Sequence, residues 1–194
     1  MNQTARAASQ LALPVLLFAL LPLLGQPSAA APQALINVRL NDDLPPAGDL
    51  EADDPSFQVS PDSQYAVYAA DAEIDDALDL YSVHVSGVFD PVRLNEALLA
   101  GQKVARFRIA PDSRHVVYLA PQDTAGVDEL YVVPIEGGMS TKLNGPLAPG
   151  GDVVHLEITP DGARVIYLAD RQTDDVFELY SVPIGGGTST KLNG

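Results

Sequence analysis

Three short sequence motifs recur together along this chain at a nearly constant interval. The pairs Pro-Asp, Leu-Tyr and Leu-Asn return every 49 or 50 residues, and the Leu-Tyr leucine always follows the proline by 19 residues. Their first members are Pro61, Pro111 and Pro160, then Leu80, Leu130 and Leu179, then Leu94, Leu143 and Leu192. A chain with such a period folds as stacked copies of one supersecondary unit, because a single copy cannot bury its own apolar face.

Each repeat is predicted to contain four β-strands. The first strand alternates large apolar residues with polar ones, and the second is rich in Val, Ile and Tyr, which is typical of half-buried and buried strands. A Gly-rich turn then joins the third strand to the fourth as a hairpin. The predicted second to fourth strands are Tyr65–Ala69, Leu80–Val85 and Pro91–Asn95, then His115–Leu119, Leu130–Ile135 and Ser140–Asn144, then Arg164–Leu168, Leu179–Ile184 and Ser189–Asn193.

The Pro-Asp pairs are predicted to be structural turn residues. Proline fixes φ at the first central position of a type I turn, and aspartate tolerates the position that follows. A catalytic role for the three aspartates is the weaker interpretation, since the turn itself explains their recurrence. The residues concerned are Pro61, Asp62, Pro111, Asp112, Pro160 and Asp161.

Four antiparallel strands per repeat predict an all-β fold of propeller blades. The blades cover about 57–95, 107–144 and 156–193 within a region 57–194, after an N-terminal segment 31–56. The order of Pro-Asp, strand, Leu-Tyr, Gly-Gly and Leu-Asn resembles the WD40-like (PD40) repeats of the TolB propeller family over residues 57–193. Similar repeats occur in the propellers of dipeptidyl-peptidase-type enzymes. The resemblance implies a partner-binding role at the cell envelope.

Three blades are fewer than the four to eight of a closed propeller. Residues 38–41 also repeat the outer-strand sequence of residues 92–95, which gives one outer strand too many for self-closure. We expect either a truncated product with further blades missing or two chains that form a six-bladed homodimeric ring. An open arc is disfavoured, because an uncovered blade face is a large apolar patch.

The first 30 residues are predicted to be a secretory signal peptide. They combine Arg6, an apolar run over residues 11–24 and the small residues Ser28-Ala29-Ala30 before the cut. A membrane anchor is the alternative, but a spanning helix needs about 20 apolar residues and two prolines interrupt this run. We therefore expect no membrane span after cleavage, and a periplasmic or secreted protein. The chain contains no cysteine, so no disulfide can stabilise it.

Charge excludes several classes of partner. Residues 31–194 contain ten basic and 26 acidic residues, a formal net charge of −16. Nucleic acids and anionic membranes both require a positive surface, so neither is an expected partner. The simplest interpretation of the negative charge is that it keeps the protein soluble.

The sequence offers one candidate metal site and no catalytic motif. Asp71, Glu73 and Asp75 have alternating carboxylates that could suit Ca²⁺, although a solvated acidic loop is the favoured interpretation and no cofactor is expected. The three histidines fall in different repeat columns, so no metal trio is predicted. With no enzyme signature present, the expected function is non-catalytic binding of an envelope or extracellular protein. The alternative is the propeller portion of a hydrolase whose catalytic domain is absent from this chain.

Overall fold

The computed structural model describes residues 39–40 and 57–194, which fall in one compact unit, Asn37–Gly194. The predicted signal peptide and most of the N-terminal segment lie outside the described residues. Within the described residues the chain forms strands, turns and loops, and no helix is present that could cross a membrane.

Twelve strands form three antiparallel sheets of four strands, each hydrogen-bonded in chain order. Blade 1 contains β1 (Phe57–Val59), β2 (Tyr65–Ala70), β3 (Asp79–His84) and β4 (Val92–Arg93). Blade 2 contains β5 (Arg106–Ile109), β6 (His115–Ala120), β7 (Glu129–Pro134) and β8 (Thr141–Lys142). Blade 3 contains β9 (Val153–Ile158), β10 (Arg164–Ala169), β11 (Glu178–Pro183) and β12 (Thr190–Lys191). The predicted all-β class with four-stranded antiparallel blades is confirmed, and the three sheets do not close into a ring.

The fourth strand of every blade is shorter than the sequence pattern predicts. Each spans two residues rather than five. In blade 1 the ladder continues for one more bond, from the Leu94 N–H to the Leu80 carbonyl at 2.7 Å. The next donor, the Leu80 N–H, bonds instead to the side-chain oxygen of Asn95. Because this side chain replaces a backbone acceptor, the regular pairing ends there.

Each blade has two different apolar faces, because successive residues of a strand point to opposite sides of the sheet. We call one the tyrosine face, which in blade 2 consists of Val116, Tyr118, Ala120, Tyr131 and Val133. We call the other the leucine face, which in blade 2 consists of Val117, Leu119, Leu130, Val132 and Leu143. The two tyrosines of each blade stack, with ring centroids 5.4 Å apart in blade 2.

The core consists of leucine faces packed on tyrosine faces. Val67, Leu80 and Leu94 of blade 1 share one buried cluster with the tyrosine face of blade 2. The leucine face of blade 2 shares a second cluster with the tyrosine face of blade 3. The same contact is therefore made twice, and each blade buries its apolar surface only against its neighbours.

Candidate functional site

The carboxylate of Asp62 is hydrogen-bonded within its own Pro61-Asp62 turn. Oδ1 of Asp62 accepts hydrogen bonds from the Ser60 hydroxyl at 2.6 Å and the Gln64 N–H at 3.0 Å. The Ser60 bond, then the Gln64 bond, lowers the pKa of Asp62 below its usual value. Ser63 follows with a φ of 61° and donates its N–H to the Ser60 carbonyl. The carboxylate therefore closes a turn.

The other two Pro-Asp turns also hold their carboxylates by local hydrogen bonds, although the Asp112 turn has Ala110 where the others have a hydroxyl donor. Asp161, after Pro160, accepts from the Thr159 hydroxyl at 2.6 Å, which lowers its pKa. Asp112, after Pro111, accepts from the Arg114 N–H at 2.8 Å and lies 2.6 Å from the His115 ring. Burial acts to raise the pKa of Asp112, but these bonds outweigh it and lower the pKa. All three aspartates lie in structural turns.

The candidate calcium residues lie in the loop between β2 and β3. Asp71 is buried, whereas Glu73 is exposed and forms an ion pair with Arg93. Asp75 is exposed. Over residues 39–40 and 57–194, no group of three or more His, Cys, Asp or Glu side chains is arranged to hold a metal ion.

A second acidic feature joins the loops of blades 2 and 3. Asp152 accepts a hydrogen bond from the Asp128 N–H at 2.8 Å, and its own N–H donates to Asp170 at 2.5 Å. Burial, and then the negative charge of Asp152, raise the pKa of Asp128 to about 6, against a smaller opposing effect of Lys103. These carboxylates tie neighbouring loops together through backbone donors.

A row of hollows crosses the end of the blades that carries the Pro-Asp turns. We call this end the turn face; it comprises the turns at residues 60–64, 85–91, 110–114, 135–140, 159–163 and 184–189. Between blades 1 and 2 lie hollows of about 190 and 350 Å³, which share Tyr65 and Glu136. A third, of about 220 Å³, lies between blades 2 and 3 and shares His115 with the second.

Aromatic rings shape the first hollow. The His84 ring packs edge-on against Tyr65, with centroids 5.4 Å apart, and against Phe89 at 5.6 Å. The Tyr65 hydroxyl donates to Glu136 of the next blade at 3.1 Å. Burial and then Glu136 raise the pKa of Tyr65, so the phenol remains a neutral donor. The hollow thus combines apolar walls with a few fixed polar groups.

Two exposed apolar side chains line these hollows, Phe89 in the first and Met139 in the third. Val88, Phe89 and Met139 lie on the turns between the third and fourth strands, and Met139 is 90% exposed. The sequence did not indicate this surface. His84 and His115 do not occupy equivalent positions in their repeats, so nothing suggested that they lie near each other. A large apolar residue in a Gly-containing turn, such as Phe89 or Met139, is the signal that could have indicated it.

The three four-stranded sheets are blades of a β-propeller. Among solved structures, the chain is similar to a putative TolB from Agrobacterium tumefaciens, with a TM-score of 0.51 and 19% identity. That match covers 73% of this chain and 50% of the other. TolB from Acinetobacter baumannii gives a TM-score of 0.51 and 15% identity, over 72% of this chain and 32% of that one.

Peptidase structures match as well. A prolyl endopeptidase gives a TM-score of 0.53 and 18% identity, over 72% of this chain and 22% of its own length. The chain therefore spans half or less of each of these proteins, and at such identities the likeness concerns the fold. No protein-family model matches the chain, and no curated protein matches it in sequence.

Proposed function

We propose that this chain is an exported, non-catalytic propeller module that binds a segment of another envelope or extracellular protein along its turn face. The observation that carries the proposal is the row of hollows lined in part by exposed Phe89 and Met139. Aromatic residues and Met are enriched at protein interfaces, and hot spots form where such side chains meet pockets. The TolB-like fold supports an envelope location.

The chemistry of the turn face favours a partner segment with both apolar and polar side chains. Phe89 and Met139 offer apolar contacts at either side of the blade 1–blade 2 boundary. Between them, Glu136, Arg114 and His115 line the larger hollow and supply charges of both signs. An extended peptide could place alternate side chains in successive hollows.

Site-directed photocrosslinking in the native envelope tests this proposal. A photoreactive residue at Phe89 or Met139 should give a discrete protein adduct, and one at Phe177 should not. Phe177 is a matched control, because it is also an exposed phenylalanine but lies at the opposite end of the strands. The adduct formed from position 139 should be lost when Phe89→Asp is added and kept with Phe177→Asp. Equal crosslinking from all three positions would contradict the proposal.

A second candidate is that these blades belong to a hydrolase whose catalytic domain lies outside this chain. The match to a prolyl endopeptidase favours it. Reading the coding DNA beyond Gly194 discriminates between the two, since an in-frame hydrolase domain supports only the second candidate.

A further inference from the structure

The Leu-Asn leucine occurs four times, and three of its copies rest on a tyrosine face. Leu94 lies on blade 2 and Leu143 on blade 3, and each is only 2% exposed. Leu40, from the segment that repeats this motif, packs against the tyrosine face of blade 1. Within the part of the chain that the structure describes, no tyrosine face covers Leu192, which is 51% exposed.

The large apolar residues on the leucine face of blade 3 share this exposure, whereas Ser181, at the position of Val132, is buried and accepts a hydrogen bond from Arg164. The apolar members Ile166, Leu168, Leu179 and Leu192 are half-buried or exposed. The equivalent residues of blade 2 are all buried beneath blade 3, namely Val117, Leu119, Leu130 and Leu143. An apolar face of this composition fits a tyrosine face, since that is what covers it at both internal contacts.

The tyrosine face of blade 1 is covered only in part. Leu40 and Ala72 pack on Tyr68 and Tyr81. At the inner strand, however, Phe57 is 62% exposed, whereas its equivalent in blade 2, Phe107, is 3% exposed because blade 1 covers it. Blade 3 thus has an uncovered leucine face and blade 1 has a partly covered tyrosine face. These are the two kinds of surface that meet at each internal contact.

We propose that the leucine face of blade 3 docks on the tyrosine face of blade 1 of a second copy, where Leu192 displaces Leu40. The occupant is a second copy because both internal contacts in the chain join these two faces. Two copies joined in this way at both ends supply six blades in a closed, head-to-tail ring. In the monomer, Leu40 then covers part of the tyrosine face of blade 1. It competes there with Leu192 of a second copy. This surface is separate from the turn face.

Sedimentation velocity of residues 31–194 over a range of concentrations tests the docking. The wild-type chain should pass from monomer to a discrete dimer, and Leu192→Asp should lose the dimer. Met139→Asp is the matched control, because it places the same charge on an exposed apolar site of the turn face and should dimerise as wild type does. Circular dichroism should show the same strand signal in all three. A wild-type chain that stays monomeric, or that forms open oligomers of no fixed size, would overturn the proposal.

The role of Leu40 has its own test. Leu40→Ala weakens the competing contact at both joints of the ring, so it should lower the dimer dissociation constant by about a hundredfold, which is about tenfold for each half-buried leucine contact removed. An unchanged or higher dissociation constant would show that Leu40 and Leu192 do not compete for one site.

Discussion

The side-chain oxygen of Asn95 accepts a hydrogen bond of 2.7 Å from the backbone N–H of Leu80, 15 residues earlier. The same bond joins Asn144 to Leu130 and Asn193 to Leu179, each at 2.8 Å. Two of the three repeating motifs, Leu-Tyr and Leu-Asn, are therefore the two ends of one contact. Their near-constant spacing reflects the length of chain needed to bring the fourth strand back beside the third.

Removing this bond should cost most where it is buried. In Asn144→Ala the buried Leu130 N–H loses its acceptor, which typically costs about 1–3 kcal/mol of unfolding free energy. In Asn193→Ala the bond is exposed, water replaces it, and we expect a loss below about 0.5 kcal/mol. Urea unfolding measures both variants. Equal losses at the two positions would contradict this account.

Blade 1 contains a polar mismatch that the other blades avoid. Among the described residues, the buried atoms without a hydrogen-bond partner are Oδ2 of Asp79 and the hydroxyl of Tyr81. In blade 2 the equivalent pair is joined, because the Tyr131 hydroxyl donates to Glu129 at 3.1 Å. Aspartate is one methylene shorter than glutamate and does not reach its tyrosine.

Oδ1 of Asp79 accepts bonds from the Asn95 amide and the Leu98 N–H. Asp79→Glu should therefore stabilise the protein, by about 1 kcal/mol for the recovered Tyr81 bond, only if the longer side chain keeps both of them. The reciprocal change, Glu129→Asp, should destabilise it by at least as much, because it separates Glu129 from both Tyr131 and Lys142. Thermal or urea unfolding of the two variants checks the pair. A destabilised Asp79→Glu variant that keeps the Asn95 and Leu98 bonds would show that the shorter side chain of Asp79 is not the reason why Tyr81 lacks a partner.

Asp128 should make stability depend on pH. Burial and Asp152 raise its pKa from the ordinary 3.8 to about 6 in the folded chain, so the folded state holds this proton more tightly than the unfolded state. The Asp128 contribution to stability is therefore largest below about pH 4 and declines as pH rises through 6. In Asp128→Asn this contribution to the slope of unfolding free energy between pH 4 and 6 should disappear. An identical slope in the variant and the wild type would contradict the assignment.

The repeated features of the fold were predictable, and the non-repeated ones were not. Pro61, Leu80 and Asn95 each specify a local turn or strand end, so three aligned copies determine the blades. The turn face depends instead on contacts between blades, such as Tyr65 to Glu136 across 71 residues. No rule of sequence spacing connects two such positions in different repeats. The calcium hypothesis for Asp71, Glu73 and Asp75 stays a prediction from spacing.

The most direct test of the blade stack is an alanine scan of the four Leu-Asn leucines, unfolded in urea at concentrations where the chain is monomeric. Leu94→Ala and Leu143→Ala should each cost about 2–5 kcal/mol, the usual loss for a leucine in a packed core. Leu192→Ala should cost less than about 0.5 kcal/mol, and Leu40→Ala should fall between, since Leu40 is partly buried. A Leu192→Ala loss as large as that of Leu143→Ala would contradict the packing of leucine faces on tyrosine faces described above.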